Sequence, residues 1–116
     1  MNFETMSLEK QGRVGYLTLN RPKLLNAMNY QGALDLNQAA EMIRDETNMR
    51  LVLIKGSGRA FCTGIDLKQL TAGETPHHYY ESWDRALRIL EQSEKILICA
   101  MHGYALRWRI AAGLGL

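Results

Sequence analysis

The residues best suited to chemistry lie in "GSGRAFCTGID", Gly56 to Asp66, where a buried-type apolar run gives way to glycines and then a carboxylate. Gly56, Gly58 and Gly64 give this backbone access to unusual dihedrals and to close approach by a ligand. Main-chain N–H groups at such a corner are donors for an anion, or for the oxyanion that develops on a carbonyl under attack. The same punctuation serves an ordinary strand-to-helix turn, and spacing alone leaves both readings open. A second corner follows "ILICAM", where Gly103 opens "GYALRWRIAAGLGL". A helix predicted to start there has free N–H groups in its first turn. Corners at the ends of two strands can converge on one small atom.

The remaining polar residues carry weaker signals. Asp66 falls in the first turn of a predicted short helix, where a carboxylate offsets the helix dipole. His77 and His78 follow Pro76 in a polar stretch that reads as solvated surface, and His102 precedes the turn glycine. Tyr79, Tyr80 and Trp83 sit at helical spacing and read as core or interface. The sequence has no Ser-His-Asp pattern, no P-loop and no metal-ligand spacing.

These corners need elements to position them. "FETMSLEK" and "RVGYLTLN" read as two strands about a Gln11-Gly12 turn, with Val14, Tyr16 and Thr18 on one face and Leu17 and Leu19 on the other. "RPKLLNAMN" is punctuation: Pro22 halts the strand, and Asn26 and Asn29 suit turns or a helix cap. From Tyr30 to about Thr47, Ala33, Leu36, Ala40 and Ile43 recur on one helical face. "LVLIKG" and "ILICAM" are continuous apolar runs that predict strands covered on both sides. Between them Pro76 precedes a second amphipathic helix, with Tyr80, Trp83, Leu87 and Leu90 along one side. A hairpin followed by two rounds of helix and strand predicts an α/β fold.

Size and composition narrow the classes. At 116 residues, 47% hydrophobic and 22% charged, the chain fits one globular domain at most, short for a complete enzyme. A net charge of +2 and the lack of a basic patch argue against nucleic acid and anionic membranes as partners. Cys62 and Cys99 lack metal-type spacing and suit a reducing compartment. "MNFETMSLEK" has acidic residues and no apolar signal segment, so the expectation is a cytoplasmic protein, with no membrane partner.

Taken together, "VGYLTLNRPKLLNAMN", "LVLIKGSGRAFCTGIDLKQL" and "ILICAMHGYAL" resemble the crotonase superfamily, the enoyl-CoA hydratase/isomerase family, from about Val14 to Leu106. The resemblance implies a β-β-α spiral, here truncated, that binds acyl-CoA thioesters and assembles as trimers or hexamers. It implies no cofactor and no metal, coenzyme A entering as part of the substrate, with a place in fatty acid metabolism as lyase or isomerase. Two backbone N–H groups stabilise the thioester oxyanion or enolate in this family. By position the first falls on Thr63, with Thr63, Gly64, Ile65 and Asp66 lining the thioester and pantetheine path. The loop carrying Lys23, Leu25 and Ala27 corresponds to the one bordering the CoA nucleotide.

The second donor comes from a glycine run in the family, and the aligned residue here is Trp108, within Arg107-Trp108-Arg109. Its N–H survives the change, but an indole would fill the space that glycine leaves open. Hydratases of the family often place a glutamate where this chain has Ala111, and a second acid beyond Leu116. Residues 1–106 therefore read as the N-terminal part of a crotonase-like domain and residues 107–116 as an aberrant tail. A change of reading frame near Leu106 accounts for the tail: Trp108 must be TGG, and before an Arg109 codon beginning with C it reads GGC, glycine, one base later. The expectation is an acyl-CoA enzyme by family whose activity is lost in this chain. The competing class is a non-catalytic CoA-binding or assembly module of the same fold.

Overall fold

The computed structural model describes residues 1–24, 26, 29–58 and 78–100. Strands β1 (Met6–Gln11) and β2 (Val14–Leu19) form an antiparallel hairpin with Gln11 opposite Val14. Its turn is Gly12-Arg13, one residue later than the expected Gln11-Gly12. Gly12, at φ 61°, takes the turn position that demands positive φ. A turn of 3-10 helix at Pro22–Leu24 follows β2, because proline presets φ and offers no N–H to a ladder.

Helix α1 (Tyr30–Asp45) starts at Asn29, whose side chain accepts the Gly32 N–H at 2.8 Å and so satisfies one orphan donor of the first turn. Its predicted face is the observed one: Ala33, Leu36, Ala40 and Ile43 are fully buried. The helix leads to β3 (Leu51–Gly56), and α2 (Tyr79–Gln92) leads to β4 (Ile96–Ala100). The sheet order is β1-β2-β3-β4, with β2, β3 and β4 mutually parallel.

Alternation divides the sheet into two faces. Met6, Leu8, Leu17, Leu19, Val52, Ile54 and Leu97 are buried on one face, in a single cluster with the apolar stripes of α1 and α2. Registers Tyr16↔Leu53↔Ile98 and Val14↔Leu51↔Ile96 line up the other face. There the expectation of strands covered on both sides is corrected: Ile96 and Ile98 are 63% and 45% exposed, and Leu51 and Leu53 are half-buried. Both described helices pack on the same side of the sheet, so an apolar run did not mean two covered faces. A second correction concerns α2, where Tyr79 rather than Tyr80 joins Trp83, Leu87 and Leu90 in the core. Tyr79 lies four residues before Trp83, one turn away on the same face, whereas Tyr80 is rotated outward.

Polar groups inside are paired. Asp35 accepts the Thr5 N–H at 2.9 Å and the Thr5 hydroxyl at 2.7 Å, which ties α1 to the chain entering β1. Asn37 joins the helices, donating to Ser82 Oγ at 2.7 Å and accepting from Arg85 at 2.8 Å.

Candidate functional site

Three parallel strands end together. Leu19 is the register partner of Gly56, and Lys55 that of Ala100, so the chain leaves β2, β3 and β4 at one end of the sheet. In open α/β sheets this carboxyl end is where ligands bind, because the loops there converge around a crevice. The segments that carry the two expected corners leave from β3 and β4, which are adjacent. Neighbouring strands lie about 4.8 Å apart, so both segments start within reach of one small group.

The loops after β2 and β3 are tied to each other. Asn26, 2% exposed and at φ 56°, accepts the Arg21 N–H on Oδ1 at 2.7 Å and donates Nδ2 to the Ser57 carbonyl at 2.8 Å. Its own N–H donates to the Arg21 carbonyl at 2.9 Å. Ser57 answers from the other side: its N–H donates to the Leu19 carbonyl at 2.9 Å, and its hydroxyl to Leu19 O at 3.0 Å and Asn20 Oδ1 at 3.1 Å. Gly58 completes the contact. At φ 83° it occupies a conformation L side chains avoid, and a Cβ there would come 2.7 Å from Cβ of Pro22.

Of the residues expected at the site, Lys23 lies in the described part, exposed on the Pro22–Leu24 turn. Leu25, Ala27, Thr63, Gly64, Ile65, Asp66 and Trp108 lie outside the described residues, as do Pro76, His77 and His102. His78, at the start of α2, is exposed and sits 3.4 Å from Glu81. Asn26 had a sequence signal only as a turn former; its partner Ser57, 31 residues on, had none.

Among the described residues no group of His, Cys, Asp and Glu is placed to hold a metal, and no helix is long and apolar enough to cross a membrane. Among the described carboxyls Asp45 is held below its ordinary range, chiefly by its hydrogen bond from Arg44 and despite some desolvation. That pair ends α1, next to the start of β3 and so at the other end of the sheet from the loops. The described carboxyl end offers a ligand backbone groups, the exposed Lys23 and Lys55, and fixed loop geometry.

The chain matches the family model described as enoyl-CoA hydratase/isomerase over residues 9–116. It is 36% identical over 104 residues to a probable mitochondrial enoyl-CoA hydratase of Dictyostelium discoideum, covering 90% of this chain and 38% of that protein. To the crotonyl-CoA hydratase of Syntrophomonas wolfei it is 33% identical over 110 residues, 91% of this chain and 42% of the relative. It thus spans about two fifths of the length of these curated relatives. Among solved structures, an enoyl-CoA hydratase/isomerase from Marinobacter aquaeolei superposes with a TM-score of 0.76 at 26% identity, over 86% of this chain and 42% of that one. An enoyl-CoA hydratase/carnithine racemase from Magnetospirillum magneticum gives a TM-score of 0.79 at 25% identity, over 88% and 40%.

Proposed function

This chain belongs to the enoyl-CoA hydratase/isomerase family, and from that premise we propose that its strand ends form the acyl-CoA-binding part of a crotonase-type site. The observation that carries this reading is the pairing of Lys55 with Ala100 on adjacent parallel strands, from which the chain departs toward Thr63 and toward Trp108. In the proposed site the N–H of Thr63 and the N–H at the Trp108 position donate to the thioester oxygen. Thr63, Gly64, Ile65 and Asp66 line the pantetheine path, and Lys23, Leu25 and Ala27 border the nucleotide. Each amide donor that tightens on the developing oxyanion is worth about 2.7–4 kcal/mol of transition-state stabilisation.

Adding water to a 2-enoyl thioester also needs a group to take a proton from water and one to give a proton to the α-carbon. The position often held by glutamate in the family is Ala111 here. With alanine in place of a carboxylate at that position, the proposed role of these 116 residues is to bind acyl-CoA without hydrating it. Residues 1–106 form the crotonase-like unit, and residues 107–116 are a tail from a shifted reading frame, which the DNA after the Leu106 codon tests directly. The reading includes cytoplasmic residence, self-association as trimer or hexamer in the full-length form, a role in fatty acid metabolism, and no cofactor beyond the substrate's own CoA.

Calorimetric titration with butyryl-CoA and a hydration assay on crotonyl-CoA test it together. Saturable binding without turnover is expected; turnover by the purified chain contradicts the loss of activity, and absence of binding removes the site. Arg107-Trp108-Arg109, in place of a glycine run, favours the second reading, a non-catalytic CoA-binding or assembly module, and within it the assembly role. That reading gains if the chain self-associates but takes up no acyl-CoA.

A further inference from the structure

We infer that Asn26 is a positioning residue that locks the loop after β2 to the loop after β3, holding the nucleotide end and the thioester end of one acyl-CoA in register. This rests on the proposed function for its ligand, and on geometry for the lock itself. The position makes demands that few residue types meet. Its φ of 56° disfavours most L side chains, asparagine being among the tolerant ones. It must also accept a proton from Arg21 N–H and donate one to the Ser57 carbonyl. Only a short amide does both: aspartate can accept but not donate, and glycine can adopt the φ but does neither. Burial to 2% exposure keeps water from replacing those bonds.

The contact is closed on its other side as well. Ser57 bonds back to Leu19 and Asn20, and Gly58 rests against Pro22, so residues 19–22 and 26 are held against residues 57–58. Lys23 rides on the first of these segments, and the chain toward Thr63 continues from the second. A ligand that touches both gains from their fixed separation, because the ordering is already done before it binds. A ligand that touches one loop gains nothing from it. The lock is therefore visible as a difference between long and short ligands.

The test uses the full chain with Asn26→Gly and Asn26→Asp. Asn37→Ala is the control, since it removes another buried asparagine, one that bridges α1 to α2 instead of the two loops. Butyryl-CoA and adenosine 3′,5′-bisphosphate are titrated against each, and amide hydrogen exchange is followed at Ser57 and Gly58. Both Asn26 variants are expected to lose roughly tenfold or more in butyryl-CoA affinity and under about threefold for the bisphosphate. They should also exchange faster at Ser57 and Gly58 without ligand, whereas Asn37→Ala changes neither pattern at a similar loss of thermal stability. Equal losses for the two ligands, or unchanged exchange at Ser57 and Gly58, overturn the inference. If the parent chain binds neither compound, the acyl-CoA reading falls and the register role with it, and the exchange data still decide whether Asn26 locks the loops.

Discussion

The two faces of this sheet are built from the same strands and nearly the same residue types, yet they differ in what they hold. On the inner face Leu17, Val52 and Ile54 are fully buried beneath α1 and α2. On the outer face the rows Val14–Leu51–Ile96 and Tyr16–Leu53–Ile98 are equally apolar, and exposure grows toward β4. Hydrophobicity alone does not tell which side of a strand carries the stability; the placement of the helices does.

Truncations on the two faces test that difference, and the largest effect belongs inside. Ile54→Ala should lower unfolding free energy by about 2–5 kcal/mol in urea denaturation, since it leaves a cavity that α1 and α2 cannot close. Leu53→Ala, one residue earlier on the half-buried outer side, should cost about 1 kcal/mol. Comparable losses at the two positions would abolish the distinction between the faces.

A finer test sits at Gly15, the inner-face position paired with Val52. A Cβ there would meet Met49 Sδ at 2.6 Å and Cε at 2.8 Å, so Met49 fills the space a side chain would take. Both atoms are at the far end of a flexible chain, so Gly15→Ala should cost only about 1 kcal/mol, at the low end for overpacking. In a Met49→Ala background the same change should turn neutral or stabilising, because alanine loses less backbone entropy than glycine in a strand. A cost unchanged by truncating Met49 would show that the clash is not what keeps glycine there.

Much of the inner face was legible in the sequence because it follows period rules. Leu17 and Leu19 alternate with Val14, Tyr16 and Thr18 as pattern predicts, and Ala33, Leu36, Ala40 and Ile43 make the observed helical stripe. The outer face is not legible in the same way, because a continuous apolar run states hydrophobicity without stating cover. Tyr79 and Tyr80 differ by one position on a helix, a rotation of a quarter turn or so, which neighbouring tyrosines cannot report. At the candidate site, Asn26 was legible as a turn former, but its bond to the Ser57 carbonyl belongs to tertiary structure. Chain separation hides such a pairing from any local pattern. Thr63 is marked out as a donor by the family motif and lies outside the described residues.

The smallest expected effect is on the outer face of β4, where Ile98 is 45% exposed on the outermost of the described strands. Ile98→Thr keeps the β-branched shape and strand preference and removes an apolar methyl from a surface water already reaches. Stability of the isolated chain should therefore stay within about 0.5 kcal/mol. Self-association should respond more than stability does, because Ile96 and Ile98 form the exposed end of an apolar face on the outermost described strand. Size-exclusion elution of Ile98→Thr against the parent, over a range of concentrations, reads this directly. A shift toward smaller species with unchanged melting places the residue at a contact between molecules. If Ile98→Thr instead lowers stability as steeply as Ile54→Ala, Ile98 is covered within the folded chain, and the contrast between the two faces fails at the strand where it is drawn most sharply.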